Sequence, residues 1–294
     1  MTIDASQVGR ESAVYEVTHD WRDLALYALS IGARREDLAY VYEGGREPLR
    51  TIPTYASIPA FVPVRWLMED HLNIKLEQVV HGAQLTTAHR ALPPGGSTLT
   101  KARVDAIYDL KRFAQVILTS ETSVLDPSVG AEPELAVTTR WTIIVRDEGR
   151  FGGPRPPREP SPKVPKDREP DWMGTFATSP EQALLYRLCG DFNPLHADPE
   201  AARQVGFERG PILHGLATYG IVAWTAARAM AGGEVGRLKV FAAQFKKPVW
   251  PGETIVTRGW HLEDGQTVLQ AHVEGRPDPV VTNAWVEFSD ATSA

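Results

Sequence analysis

Two apolar stretches in the second half of the chain predict helices on either side of a short polar loop. The first covers residues 179–190, with Thr178 or Ser179 as its cap. It should end there, because Asn193-Pro194 follows and the residue before a proline avoids helical backbone angles. The second covers residues 215–230 and is almost unbroken in apolar or small residues. A helix that is hydrophobic on every side belongs in a core. The polar loop is therefore expected to face the N-terminus of a buried helix.

The remaining apolar positions predict further helices at residues 20–30, with Thr18 or Asp20 as the cap, and around residues 60–72. Eight other segments have strand character, because they are rich in β-branched residues or alternate apolar with polar positions. They are residues 76–85, 97–111, 112–124, 135–145, 239–247, 254–262, 267–274 and 280–289. The Asp-Gly pair at residues 264–265 is typical of a hairpin turn. Helix-bearing units followed by antiparallel strands indicate an α+β protein.

Residues 151–171 interrupt this pattern with seven prolines and many charges, so they are predicted to form an extended linker. The segments before and after this linker share short stretches of similar sequence, which occur in the same order. Residues 24–29 resemble residues 183–188, and the Ala-Gln pair at 83–84 recurs at 243–244. Duplication explains the shared order. The predicted organisation is an N-terminal repeat at 1–150, a linker at 151–173 and a C-terminal repeat at 174–294.

Composition narrows the class of protein. The chain has 294 residues, is 43% hydrophobic and carries 31 basic against 37 acidic residues. No lysine- or arginine-rich block stands out, so nucleic acid is not an expected partner. No apolar run is long enough to span a bilayer, and neither end resembles a secretory or peroxisomal signal. The expected protein is soluble and cytoplasmic, without membrane insertion.

Cys189 is the single cysteine, so no disulfide can form within the chain. It lies beside the polar loop, where it could be a nucleophile. Its position on the apolar face of a helix favours a small hydrophobic role instead.

The polar loop places an acid, an amide and an imidazole within six residues, as Asp191, Asn193 and His196. Two titratable groups near the free N–H groups of a helix N-terminus suit general acid–base chemistry. Asn193 has a second interpretation, because an asparagine before a proline often forms a local Asx turn.

These residues carry a family resemblance. Residues 186–196 and 211–215 resemble the hydratase 2 motif of the MaoC-like (R)-specific enoyl-CoA hydratases. The whole chain is similar to the two-repeat version of that family, found in the hydratase part of peroxisomal multifunctional enzyme type 2. Further matches occur in the family's order at residues 42–44, 52–55, 80–82, 151–153 and 248–252.

The resemblance implies a tandem, or double, hot-dog fold, in which each repeat wraps an antiparallel sheet around a long helix. The first repeat has no counterpart of the Asp-x-Asn-x-x-x-His pattern after Gly32. One active site per chain is therefore expected, built mainly from the second repeat. The first repeat would then have room to open a tunnel for a bulky acyl chain.

The implied reaction is the reversible syn addition of water to a trans-2-enoyl-CoA, which gives a (3R)-3-hydroxyacyl-CoA. His196 suits proton removal from water, and Asp191 can deliver a proton to C2. Asn193 would bind the water or support the loop. The backbone N–H of Gly215, at a helix N-terminus, would stabilise the thioester oxygen.

The resemblance also implies substrate-binding residues. They are His81, Gly82, Lys111, Phe245 and Glu43, the last in a supporting role. The family has a glutamate after the His-Gly pair, and Ala83 stands there in this chain. That difference bears on the range of substrates. Since no basic block exists, the positive groups that a CoA phosphate requires must be local.

No cofactor and no metal are expected, because His196 and His214 lack a third ligand with recognised spacing. His214 is expected to be structural, and Asp198 and Glu200 to belong to a helix N-terminus. A homodimer is the expected assembly.

Other functions remain open. The same chemistry could act on an acyl-carrier-protein thioester, or run in reverse as a dehydratase. A non-catalytic acyl-thioester-binding subunit is a further alternative. The set of Asp191, Asn193, His196 and Gly215 favours catalysis, because a binding module has no evident need of it.

Overall fold

The computed structural model describes residues 3–125, 132–158 and 161–290. The strands are β1 (Tyr15–His19), β2 (Val79–Ala88), β3 (Gly96–Asp109), β4 (Phe113–Val124), β5 (Glu134–Arg146), β6 (Trp172–Ala177), β7 (Leu238–Phe245), β8 (Thr254–His261), β9 (Thr267–Val273) and β10 (Pro279–Phe288). The α-helices are α1 (Trp21–Ile31), α2 (Leu38–Val41), α3 (Ser57–Trp66), α4 (Gln182–Arg187), α5 (Pro199–Gln204) and α6 (Gly215–Met230). A π-helical turn, Leu67–His71, continues α3.

The strands form one antiparallel sheet in the order β1-β3-β4-β5-β2-β7-β10-β9-β8-β6. Read inward from its two ends, the sheet repeats a single pattern, with β6 to β10 in the places of β1 to β5. The halves join where β2 pairs with β7. Ala83 lies opposite Gln244 there, and Gln84 lies opposite Ala243. The two Ala-Gln pairs therefore meet across an approximate two-fold axis, which a duplicated chain would produce.

Each half of the sheet curves around a helix. In the first half α3 packs on β3 and β4, and in the second half α6 packs on β6, β7 and β8. Every residue of α6 from 216 to 227 is buried. This is the double hot-dog fold, as predicted. Among the described residues, no helix combines the length and the apolar character that crossing a membrane requires.

The edge strands were missed by the sequence analysis. Residues 1–17 and the end of the proline-rich segment lack a clear strand pattern, yet they lead into β1 and β6, which pair with β3 and β8. Because β6 begins at Trp172, it starts two residues before the predicted second repeat. The division of the chain into repeats at residues 150 and 174 stays a prediction. Residues 159–160 of the linker and the C-terminal residues 291–294 lie outside the described residues.

The helix predicted at residues 179–190 begins later than expected, at Gln182. Neither expected cap, Thr178 or Ser179, makes a side-chain capping bond to it, and Thr178 donates its hydroxyl hydrogen to the carbonyl oxygen of Glu253 at 2.7 Å instead. In contrast, Asp20 caps α1 in a complete capping box with Asp23. The capping interpretation of Asp198 is also confirmed, because its carboxylate accepts from the N–H of Glu200.

A fragment of the second half alone, residues 172–294, is expected to be insoluble or inactive. Separation would leave β7 as a bare edge strand and would uncover the face of α6 that packs on α1. It would also break the bond from Gln182 Nε2 to the Ser30 carbonyl oxygen, which is 2.7 Å long. Gel filtration and an activity assay of the fragment test this, with the intact chain as control. A soluble, monomeric and fully active fragment would contradict the expectation.

Candidate active site

The loop after α4 is held in shape by its own backbone. Gly190 ends the helical turn with φ of +130°, an angle that glycine adopts without a side-chain clash. Asp191 Oδ1 then accepts from the N–H of Asn193 at 3.2 Å, and Asn193 Oδ1 accepts from the N–H of Leu195 at 3.1 Å. The Asn193 side chain therefore makes the Asx-type contact, which starts the 3₁₀ turn Pro194–His196.

His196 lies at the end of this turn and is 8% exposed. Its Nδ1 is 2.8 Å from the carbonyl oxygen of Ile212. Because a carbonyl oxygen only accepts, this contact places the ring hydrogen on Nδ1 and leaves a lone pair on Nε2. The potential ligand atoms of Asp191, His196 and His214 lie within 4.8 Å of one another. A neutral imidazole and a carboxyl group can therefore act on one small molecule.

Burial shifts the protonation of both groups toward the neutral forms. Loss of hydration raises the pKa of Asp191, and the nearby imidazole of His196 and the guanidinium of Arg65 partly oppose that rise. The same loss of hydration lowers the pKa of His196, and the Asp191 carboxylate opposes that change. An acid that can hold a proton beside a base that can accept one is the arrangement that general acid–base catalysis requires.

The N-terminus of α6 lies beside this pair. Gly215 is the first residue of the helix, so its N–H has no acceptor within the helix. A Cβ atom at this position would stand 3.7 Å from the Phe245 ring, which is ordinary van der Waals contact. The Phe245 ring therefore lies close to Gly215, and any side chain at residue 215 would extend toward that ring.

His214 is buried directly behind the loop and is 1% exposed. Its ring stacks on that of His196, with centroids 3.7 Å apart and planes 27° apart, and its Nε2 is 3.2 Å from the Asp191 carbonyl oxygen. The expectation that the histidine pair lacks a third neighbouring ligand was wrong, because the Asp191 side chain lies close to both. The geometry still fits a metal poorly. An imidazole binds an ion in the plane of its ring, and two nearly parallel stacked rings cannot both direct lone pairs at one ion.

A cavity of about 400 Å³ opens onto these groups. Six of the predicted site residues line it: Asp191, Asn193, His196, Gly215, His81 and Phe245. The first half of the chain supplies much of the apolar wall, through Phe61, Met68, Leu76, Val79, Trp141 and Ile143. The sequence did not single out these residues, since they look like ordinary core positions.

His81 forms part of the wall of this cavity. Its ring stacks on Trp141, with centroids 5.2 Å apart, and its Nε2 lies 3.0 Å from Gln84 Oε1. Burial lowers the pKa of His81 to about 4, so it is neutral near pH 7. It offers a polar edge beside the apolar residues that the first half contributes to the wall.

Three predicted substrate-binding residues are not among the described residues that line the cavity. Gly82 sits where β2 approaches β5, and a Cβ there would stand 3.0 Å from the Ile144 side chain. Lys111 occupies the β3–β4 turn with φ of +69°. Glu43 borders a separate depression near the start of α1. The structure thus gives Gly82 a packing role and offers Lys111 and Glu43 no direct contact with this cavity.

Three basic residues at the rim were missed. Arg146, Lys246 and Lys247 line the cavity near the ends of β5 and β7. Arg146 is fixed by a 2.5 Å bond to the carbonyl oxygen of Glu77, and Lys247 pairs with Asp278 at 3.5 Å. The Lys-Lys-Pro run at residues 246–248 was the available sequence signal.

Cys189 is not an activated nucleophile. Burial raises the pKa of its thiol to about 11, and its Sγ lies 3.7 Å from Ser30 Oγ rather than near a base. The hydrophobic interpretation of this residue fits the structure.

Comparisons with known proteins identify the family of this chain. Residues 15–146 match the MFE-2 hydratase 2 N-terminal domain, and residues 162–283 match the MaoC like domain. The 3-hydroxyacyl-thioester dehydratase Y of Mycobacterium tuberculosis is 36% identical over 280 residues, covering 94% of this chain and 93% of that protein. A probable enoyl-CoA hydratase 2 of Dictyostelium discoideum is 35% identical over 276 residues, covering 92% of each chain.

Among solved structures, a MaoC-like dehydratase from Phytophthora capsici superimposes with a TM-score of 0.85 at 30% identity, over 99% of this chain and 100% of that one. The similarity to these relatives extends through both halves of the sheet. The chain belongs to the MaoC-like hydratase 2 family.

Proposed function

We propose that this protein catalyses the reversible, (R)-specific hydration of trans-2-enoyl-CoA to (3R)-3-hydroxyacyl-CoA. One observation carries the proposal: a carboxyl group and a neutral imidazole lie within 4.8 Å of each other, inside a largely apolar cavity. The family and the names of its members support the same activity.

The proposed step uses both groups on one water. As the water oxygen bonds to C3, one of its protons passes to Nε2 of His196. The Asp191 carboxyl gives its proton to C2, and the proton on His196 then returns to the Asp191 carboxylate. One water is consumed, with hydroxyl added at C3 and hydrogen at C2. Since both groups lie on one loop, both additions reach the same face of the double bond.

Negative charge builds on the thioester oxygen during this step. The N–H of Gly215 supplies a fixed donor for that oxygen, and the positive end of α6 adds a favourable potential. The conjugated thioester is proposed to lie beside the Gly215 N–H and against the Phe245 ring where that ring lines the cavity, with C2 and C3 toward the loop. The acyl chain then runs along the apolar wall of the first half.

Buried His196 sets an expectation for pH dependence. The base must be unprotonated, and burial lowers its pKa below the ordinary value of 6.5. The loss of activity on acidification should therefore occur at lower pH than for a free imidazole. We expect the acid limb of kcat/KM for crotonyl-CoA to have its midpoint below 6.5. A midpoint at or above that value would mean that another group controls the limb.

The rim lysines are proposed to bind the phosphates of CoA. We expect the double replacement Lys246→Gln with Lys247→Gln to raise KM for crotonyl-CoA by about threefold to tenfold, because each exposed charge pair contributes only ~0.2–1 kcal/mol. KM for crotonyl-pantetheine, which lacks those phosphates, should stay constant. Steady-state kinetics on both substrates measure this.

Lys239→Gln is the matched control, because Lys239 is an exposed lysine at the other end of β7 that does not line the cavity. It should leave both KM values unchanged. Equal effects of the double variant on the two substrates would remove the phosphate role.

The function itself is tested by incubating the protein with crotonyl-CoA and with a long or branched enoyl-CoA. Absorbance of the conjugated thioester should fall as water adds, and free thiol should not appear. Release of thiol would indicate a thioesterase. Constant absorbance with both substrates and with an enoyl-acyl-carrier protein would favour a non-catalytic binding role.

A carrier-protein thioester remains the second candidate substrate, because the relative from Mycobacterium tuberculosis is named for a thioester rather than for CoA. A homodimer and a cytoplasmic location also remain predictions. Light scattering after gel filtration tests the dimer, and fractionation of the source cell tests the location.

A further inference from the structure

His214 is the buried titratable group nearest the proposed chemistry that the mechanism does not use. It precedes Gly215 and forms the N-cap position of α6. Its side chain caps no helix N–H. The ring points instead toward the polar loop, where Nε2 contacts the Asp191 carbonyl oxygen. His214 therefore contacts three parts of the site: Asp191, His196 and the N-terminus of α6.

The bonds of the two histidines fix their tautomers in opposite senses. The Ile212 carbonyl oxygen accepts a hydrogen bond from Nδ1–H of His196. The Asp191 carbonyl oxygen accepts one from Nε2–H of His214. Burial and the neighbouring His196 hold the pKa of His214 well below its ordinary range. His214 is therefore a neutral ring, and its stacking partner can gain and lose a proton without facing a second positive charge.

A purely packing role does not explain the choice of histidine. His214 Nδ1 is buried and has no hydrogen-bond partner among the described residues. An unpartnered buried nitrogen destabilises a fold, and a phenylalanine would fill the same space without it. What histidine adds over phenylalanine is the Nε2 donor to the main chain of Asp191.

We infer that His214 is a positioning residue, whose Nε2–H fixes the Asp191 main chain while its ring supports His196, so that both groups keep one orientation toward Gly215. The inference rests on the proposed hydratase function. The side chain does not contact the substrate, since His214 is not among the residues that line the cavity. Its removal should therefore affect turnover more than substrate binding.

Two substitutions distinguish the effect of the His214 Nε2–H hydrogen bond from the effect of its stacked ring. His214→Phe keeps a stacked ring and loses the donor, whereas the side-chain amide of His214→Gln keeps a donor near the Nε2 position and loses the ring. We expect His214→Phe to lower kcat for crotonyl-CoA by about tenfold, the loss corresponding to one hydrogen bond, and to change KM by less than about threefold. His214→Gln should retain several times more kcat than His214→Phe.

His19→Phe is the matched control. His19 is 3% exposed, and its Nε2 also contacts a backbone carbonyl oxygen, that of Pro93 at 3.1 Å. It borders the separate depression rather than the active cavity. This variant should lower the melting temperature while leaving kcat per folded molecule unchanged.

The experiment measures kcat, KM and melting temperature for the wild type and the three variants in one assay. Wild-type kcat in His214→Phe would overturn the inference, as would a loss in His214→Gln as large as in His214→Phe. A kcat loss in His19→Phe equal to that in His214→Phe would reduce His214 to a packing residue. If the wild type itself is inactive, the proposed function fails, which is a separate result.

Discussion

Replacing Asp191 with asparagine, or His196 with glutamine, is expected to lower kcat for enoyl-CoA hydration by about 10²–10⁴-fold, the usual contribution of a general acid or base. Asparagine cannot deliver a proton to C2, and glutamine cannot accept one from water. Both replacements are close in size to the original residues, so the loop should keep its shape. Rates with crotonyl-CoA and circular dichroism of each variant measure the effect.

The losses should not add in the double variant, because both groups act on one water and either loss alone stops the transfer. Asp198→Asn provides the control. It changes a nearby aspartate whose carboxylate caps α5, and asparagine caps helices equally well. That variant should keep full activity. Near-wild-type kcat in Asp191→Asn or His196→Gln would exclude that residue from the chemistry.

Gly215→Val is expected to lower kcat/KM by about two to three orders of magnitude, the loss that follows removal of one oxyanion donor. The Cβ alone would already touch the Phe245 ring at 3.7 Å, and the two branched methyl groups would extend into the space for the thioester. The N–H would remain but the thioester oxygen could not reach it. Kinetics on one enoyl-CoA and the melting temperature are the measurements.

Gly215→Ala is the graded control, because one methyl group at ordinary contact distance intrudes less. It should lose far less activity than the valine variant while melting at a similar temperature. If Gly215→Val works as well as the wild type, the thioester does not bind at this end of α6. The catalytic geometry would then be wrong.

Much of the fold followed from local chemistry. The helix cap, expected at Thr18 or Asp20, is Asp20. The apolar run of α6 and the hairpin at residues 264–265 also formed as expected, and each of these features depends on a short stretch of sequence. The family motif likewise identified one loop and one helix end, which the structure brings together around a cavity. Such features depend on neighbours in the chain, so sequence alone can reveal them.

The features that the sequence did not predict correctly depend on contacts with residues that are distant in the chain. The strands β1 and β6 are short edge strands, and they form because β3 and β8 offer free edges to pair with. Thr178 does not cap α4, because its hydroxyl donates a hydrogen bond to the carbonyl oxygen of Glu253, on another segment.

The apolar wall of the cavity and the stacking of His214 on His196 were also not predicted from the sequence. Phe61 and Trp141 have the pattern of core residues, and the cavity that they line is completed by residues of the second half. The stacking of His214 on His196 joins the N-cap of α6 to the 3₁₀ turn at residues 194–196, and no spacing rule marks it.

The most direct test of the central claim is the configuration of the product. Crotonyl-CoA should be converted by the wild-type protein in deuterated water, and the 3-hydroxybutyryl-CoA analysed by chiral chromatography and NMR. The proposed function predicts the (3R) product alone, and the proposed site predicts one deuterium at C2 on the same face as the new hydroxyl group. Deuterium on the opposite face, or a racemic product, would contradict addition by Asp191 and His196 from one side, and a (3S) product would contradict the proposed (R) specificity.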